Sequence, residues 1–135
     1  IGVFETAQLK ISLALPSSPA MVLADKDLML RVVNNLVKNA IQAIPERAEP
    51  QITVKLFENE AFWQISISDN GVGIPKEMLA KIFLPNFTTK SSGAGLGLAM
   101  VKQIVSDHNG EIWVDSKEGW GTVFYVQLPK LDNID

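Results

Sequence analysis

Apolar and polar residues recur along this chain with two periods, and the switches between them mark out its elements. Leu9, Ile11, Leu13 and Leu15 recur every second residue, so residues 9–15 predict a half-buried strand. The Pro16-Ser17-Ser18-Pro19 run ends it, and residues 21–24 predict a short second strand. From Asp25, a good helix-capping residue, the period becomes helical. Leu28, Met29, Val32, Val33, Leu36, Ala40 and Ile44 fall on one broad face, Asp27 suits the first-turn dipole, and Pro45 cannot continue the helix. Residues 51–57 and 62–68 predict two strands joined as a hairpin. A short helix opens at Pro75 and ends near Ile82, and residues 84–95 carry no period and predict a loop. Residues 96–107 predict a helix with Leu98, Val101, Ile104 and Val105 inward, stopped at Asn109-Gly110. Residues 111–115 and 122–128 predict a second hairpin that turns at Glu118-Gly119, and 130–135 read as a tail. Two hairpins make the sheet mostly antiparallel. The expected architecture is an α+β two-layer sandwich in a single domain over residues 1–135. Its mixed sheet has about five strands, covered on one face by about three helices.

Composition narrows the function. At 135 residues, 47% hydrophobic and 20% charged, the chain is ordinary globular protein and can bury its own core. Its 12 Lys and Arg against 15 Asp and Glu leave a net charge of −3, which argues against nucleic acid as a partner. Without cysteine there is no disulfide, thiolate metal site or cysteine nucleophile, which fits a reducing compartment and a cytoplasmic location. No apolar run approaches the ~20 residues that span a bilayer, so this domain is not expected to insert into a membrane. The chain opens on Ile1 rather than Met, which suggests a piece of something longer.

Four groups of residues carry candidate chemistry. On the long helix, Asn35 and Asn39 share a face, with Gln42 a turn later and Arg31 a turn earlier. An amide oxygen is a hard, neutral ligand, suited to a Mg²⁺ held mainly by phosphates. Next comes Asp69-Asn70-Gly71-Val72-Gly73-Ile74. Asp69 has the parity of Trp63, Ile65 and Ile67, so it faces the core, where a carboxylate needs partners. Gly71 and Gly73 permit a tight turn and close backbone approach. The third group is Phe83-Leu84-Pro85-Asn86-Phe87-Thr88-Thr89-Lys90, two aromatics and a proline followed by hydroxyls and a cation. The fourth, Gly93-Ala94-Gly95-Leu96-Gly97-Leu98, brings glycine-rich backbone to a helix N-terminus, a ready anion site. Each group alone also has a plainer reading, as a solvated helix face, a turn, an anchored loop or a flexible one. The glycine pattern is neither a dinucleotide fingerprint nor a Walker A loop, and no eukaryotic protein-kinase string is present.

In order and spacing the four groups resemble the ATP-binding domain of the sensor histidine kinases, in the superfamily shared with gyrase, MutL and a heat-shock chaperone. Asn35-Leu36-Val37-Lys38-Asn39-Ala40 is similar to the family's N box, residues 69–74 to its first glycine box, residues 83–90 to its F box with the following Thr-Thr-Lys, and residues 93–98 to its second glycine box. Gly121-Thr122 is similar to a further family pair, and the resemblance runs from about residue 9 to 129. It implies a Bergerat-type fold that binds ATP with Mg²⁺. Asn39 would ligate the metal and Asn35 would lie beside the phosphates. Asp69 would accept from the adenine amine with Thr122 supporting it through water, and Gly71 and Gly73 would let the backbone approach the base. Gly93, Gly95 and Gly97 would form the lid, with Leu96 also among the ATP-binding residues, and Lys90 and Lys38 would offset phosphate charge.

The ATP-hydrolysing branches carry a Glu where this chain has Asn35, so the resemblance implies holding ATP for transfer rather than hydrolysis. Two positions depart from the pattern: Gln42 stands where many members have Lys or Arg, and Asn86 where a second Phe is common. The phosphoacceptor His would sit on a separate dimerisation hairpin upstream, the partner through which a response regulator is reached. The parent protein could then be a membrane-bound sensor with this part in the cytoplasm. His108 reads as structural, so no catalytic residue is assigned in this chain, and the isolated domain is expected to be a monomer that does not autophosphorylate. The Asn-Ala-Ile-Gln-Ala run and the Thr-Thr-Lys resemble the nitrogen-regulation type. An anti-sigma-factor-type serine kinase and a non-catalytic nucleotide-binding scaffold are the alternatives.

Overall fold

The computed structural model describes residues 11–14, 26–46, 48–58, 60–85 and 94–130. The elements are β1 (Ile11–Ala14), α1 (Lys26–Ala43), β2 (Ile52–Glu58), β3 (Phe62–Asp69), α2 (Lys76–Leu79), α3 (Ala94–Asp107), β4 (Glu111–Lys117) and β5 (Gly121–Pro129). They form a five-stranded sheet in the order β1-β2-β3-β5-β4. Only β1 and β2 run parallel; the other neighbours are antiparallel. This is the mixed, mostly antiparallel α+β sandwich that the two hairpins predict. The strand expected at 21–24, and the capping Asp25, lie outside the described residues.

The helices pack on one face of the sheet, and the register shows why. Across β2, β3, β5 and β4 the helix-side residues fall in rows: Leu56, Ile65, Val126 and Ile112 in one, Val54, Ile67, Phe124 and Val114 in the next. Strand alternation sends those apolar side chains to the same side. Val32, Leu36, Val37 and Ala40 of α1 and Leu98, Val101, Ile104 and Val105 of α3 close over them as one buried core. Val37 falls outside the face read from the sequence. It is buried because α1 packs against α3 as well as the sheet, so its apolar surface is wider than a single stripe. Among the described residues, no helix is long and apolar enough to cross a membrane.

α3 begins at Ala94, two residues earlier than the sequence pattern gives, so Gly95 as well as Gly97 lies inside the helix. At its far end Asn109 adopts a left-handed conformation (φ 61°), and the Gly110 N–H reaches back 2.9 Å to the Val105 carbonyl. This is a Schellman-type stop in which the asparagine, rather than the glycine, takes the unusual backbone. Lys130 is held: its N–H donates to the Ala61 carbonyl at 2.8 Å, its ammonium pairs with Glu58, and it lies 5.3 Å from the Trp63 ring centre. The expected tail therefore does not begin at Lys130, and residues 131–135 lie outside the described part.

Candidate functional site

The apolar rows of the sheet give way at one end to a polar one. Ile52, Asp69, Thr122 and Ser116 lie side by side on β2, β3, β5 and β4. Three adjacent strands thus each contribute an oxygen-bearing side chain to the helix side of the sheet. Asp69 arrives there by the period-two alternation of β3 that buries Trp63 and Ile67. Its Oδ1 accepts the Gly71 N–H at 2.8 Å. Burial pushes its carboxyl above the ordinary value, while the Gly71 and Thr122 backbone amides pull the other way. Thr122 is 3% exposed.

Ser116 ties this row together. Its Oγ accepts the Ile74 N–H at 2.8 Å, donates to the Gly121 carbonyl at 2.9 Å, and lies 2.7 Å from the Thr122 Oγ1. The expectations from sequence leave Ser116 out. The signal was available, since Ile112 and Val114 face the core and Ser116 continues their alternation on β4.

The segment after Asp69 is a strap laid over the end of α1. The Val72 N–H donates to the carbonyl of Ala43, the last residue of that helix, at 2.9 Å, and the Val72 carbonyl accepts the Gly119 N–H at 2.9 Å. The first bond satisfies one of the carbonyls that a helix end leaves unpaired. A Cβ on Gly71 would lie 2.6 Å from the Ala43 oxygen, and one on Gly73 (φ 79°) would overlap the Lys117 carbonyl. What lies against these two glycines in the structure is the protein's own backbone. Asn70 also works on the chain. Its Oδ1 accepts the Gln51 N–H at 2.9 Å, and its Nδ2 donates to the Glu49 carbonyl at 2.8 Å.

On α1, Asn35 Nδ2 donates to the Arg31 carbonyl at 2.9 Å. A Cβ on Gly97 would come within 2.5 Å of Asn35 Oδ1, so this glycine lets α3 close on α1 at the asparagine. The N-box amide and the second glycine run, far apart in sequence, therefore meet. Asn39, one turn further on, buries its Nδ2 with no hydrogen-bond partner among the described residues. An orphaned buried amide is rare enough to need an explanation outside the protein's own contacts. Phe83 packs edge-on against Phe124, with ring centres 6.3 Å apart, and so anchors the start of the third group to the core. His108 Nδ1 lies 2.7 Å from the Ile104 carbonyl, a bond within its own helix end. Lys90 and Gly93, with Asn86 and Phe87, lie outside the described residues. So do the side chains of Gly95's neighbours Ala94 and Leu96, although their backbone is helical.

A carboxylate at the end of a sheet, an amide-lined helix and a glycine strap thus lie in one α+β sandwich, and known proteins share its sequence and fold. A family model described as "Histidine kinase-, DNA gyrase B-, and HSP90-like ATPase" matches residues 24–132. The chain is 47% identical over 106 residues to Sensor histidine kinase ZraS of Escherichia coli (strain K12), an overlap of 78% of this chain and 22% of that protein. It is 37% identical over 121 residues to Sensor histidine kinase WalK of Bacillus subtilis (strain 168), 85% of this chain and 20% of that one. Among solved structures, the catalytic domain of histidine kinase ThkA is similar with a TM-score of 0.79 at 35% identity, over 90% of this chain and 78% of that chain. The chain belongs to the histidine kinase-, DNA gyrase B- and HSP90-like ATPase family, as an ATP-binding catalytic domain of the histidine-kinase type. It spans about a fifth of the length of these two sensor kinases.

Proposed function

We propose that this domain binds Mg-ATP and presents its γ-phosphate to a histidine on a separate phosphoacceptor domain of the parent protein, through which a response regulator is phosphorylated. The observation that carries the reading is Asp69. It is a core-facing carboxylate whose burial is only partly offset by two backbone amides, so its charge calls for a donor from a ligand. The exocyclic amine of adenine is such a donor, and Thr122 stands next to Asp69 in register to share the base edge through water. Gly71 and Gly73 keep the strap thin beside it.

The phosphates would then run toward the meeting of α1 and α3, between Asn35 and the start of α3 at Gly95, Leu96 and Gly97, with Gly93 just ahead of it in sequence. Amides of that helix start favour anions, and Lys90 adds a cation. The orphaned Asn39 amide fits a Mg²⁺ site, because a neutral oxygen donor suits a metal held chiefly by phosphates. Turned over about its last side-chain bond, the Asn39 amide would present its oxygen at that place. When bound, the metal would neutralise phosphate charge. Position 35 decides the chemistry: an amide cannot take a proton from water near neutral pH, so the site holds ATP without activating a water. Phosphoryl transfer rests largely on positioning and charge stabilisation, which this chain's residues can supply without a nucleophile of their own.

The test is transfer. Mixed with the phosphoacceptor hairpin of its parent protein, the domain should move label from ATP to the hairpin as an acid-labile, base-stable phosphohistidine, and Asp69→Ala should not. Label on serine or threonine instead would contradict the reading.

A further inference from the structure

We propose that Ser116 is a positioning residue that fixes the direction of the Thr122 hydroxyl and thereby helps the site prefer a base edge that donates over one that presents a carbonyl. The inference rests on the adenine-nucleotide reading of the Asp69 site.

A hydroxyl has one proton and two lone pairs. Ser116 Oγ has three neighbours: the Ile74 N–H, the Gly121 carbonyl and the Thr122 hydroxyl. The amide can only donate to it, and the carbonyl can only accept. With its proton on the carbonyl, Ser116 has one lone pair left for the Thr122 proton, and all three bonds form. If Ser116 instead donated to Thr122, the Gly121 carbonyl would lose its hydroxyl partner and one bond would vanish. The first arrangement therefore wins by one hydrogen bond. It turns the Thr122 proton toward Ser116, leaving only lone pairs of that oxygen for anything beside Asp69. Asp69, ionised, is acceptor-only as well. The two side chains then face a ligand as a pair of acceptors. Thr122 meets the base through a water, and that water must give one of its two protons to the Thr122 oxygen, which leaves it one. Adenine needs only that one, at its ring nitrogen, because its amine donates to Asp69. A carbonyl in the amine's place would need the water to donate both to it and to Asp69, and no second proton is left, the kind of mismatch that discriminates strongly. Ser116 is held for this task from outside the pocket. Its fixed donor is the strap amide at Ile74 and its fixed acceptor lies at the start of β5.

The experiment titrates ATP and inosine triphosphate, which carries a carbonyl in place of the amine and a ring N–H in place of the neighbouring bare nitrogen, calorimetrically with Mg²⁺ into wild type, Ser116→Ala, Ser116→Thr, Thr122→Val and the Ser116→Ala/Thr122→Val double variant. Thermal unfolding of each variant is run beside it. Wild type should prefer ATP. Ser116→Ala should lower the ATP-to-inosine-triphosphate affinity ratio about fivefold, the worth of one oriented hydrogen bond. Ser116→Thr should restore it, and Ser116→Ala should change the ratio no further when Thr122 is already Val, a coupling that a merely structural serine would not show. A wild-type ratio unchanged in Ser116→Ala overturns the role of Ser116 while leaving the adenine reading in place. Should Ser116→Ala fail to fold, a folded Ser116→Thr that has lost the preference overturns it equally. A wild type that binds both nucleotides alike, or neither, overturns the adenine reading and this inference with it.

Discussion

Replacing Gly71 with alanine should cost both stability and nucleotide binding, and the structure gives the size of the effect. A Cβ there would sit 2.6 Å from the Ala43 carbonyl oxygen and 2.8 Å from that residue's carbonyl carbon and Cβ, where ordinary contacts are 3.4–4 Å. The obstacle is mostly backbone at the end of α1, so the strap must back away by most of an ångström. Overpacking of this kind costs about 1–3 kcal/mol. Retreat of the strap also stretches the Val72 N–H bond to Ala43, worth about 1 kcal/mol, and pulls the Gly71 N–H from Asp69. Together these give about 2–4 kcal/mol of lost stability, which for a domain of this size lowers the melting temperature by roughly 8–15 °C. Gly119→Ala is the control. It has open space around its Cβ and a φ of 84°, so only the left-handed penalty of about 1–2 kcal/mol applies. Thermal unfolding followed by circular dichroism should rank Gly71→Ala clearly below Gly119→Ala, and ATP titration should show about tenfold weaker binding for Gly71→Ala alone. If Gly71→Ala melts no lower than Gly119→Ala, the strap is not wedged against α1 as described and the steric argument fails.

Three further outcomes follow from the same geometry. Burial raises the Asp69 carboxyl above its ordinary value of 3.8, so the folded protein holds that proton more tightly than the unfolded chain. Ionisation then weakens the ligand-free fold as pH rises past 3.8 and through the folded value. The stability advantage of Asp69→Asn over wild type, measured by urea unfolding, should therefore be absent at lower pH and grow as pH rises; an advantage that shrinks with rising pH would contradict the burial. Gly97→Ala should destabilise by about 1 kcal/mol through its clash with Asn35, and Asn35→Ala should remove most of that cost, as a double-mutant cycle will show. Incubated alone with labelled ATP, the domain should release negligible phosphate and acquire no label on His108, because Asn35 is no base and His108 is engaged with the Ile104 carbonyl.

How far the sequence speaks depends on whether a residue's role is local. Asp69 is legible because four alternating positions of one strand fix its side of the sheet, and the core of α3 is legible from its helical period. The Gly97–Asn35 contact is not, since the two residues are 62 apart in the chain and meet only through how closely their helices approach each other. Asn70 reads as a turn residue, yet its amide holds residues 49–51, which only the sheet brings near. Ser116 sat in plain alternation with Ile112 and Val114, but a serine near a turn carries no chemical signal until Thr122, Gly121 and Ile74 are placed around it. Gly71 illustrates a mixed case. Its smallness was legible, whereas the carbonyl of Ala43 that demands it was not.

The central claim is that Asp69 is the floor of an adenine pocket rather than a structural acid. Calorimetric titration of Mg-ATP into Asp69→Ala, with thermal unfolding of the same sample, tests it most directly. Losing a hydrogen bond to a charged acceptor costs about 1.5–3 kcal/mol, so affinity should fall about ten- to a hundredfold or more. The melting temperature of the ligand-free variant should stay level or rise, because a buried charge with too few partners has been removed. Unchanged affinity, or lost affinity with a collapsed melting temperature, would contradict the account.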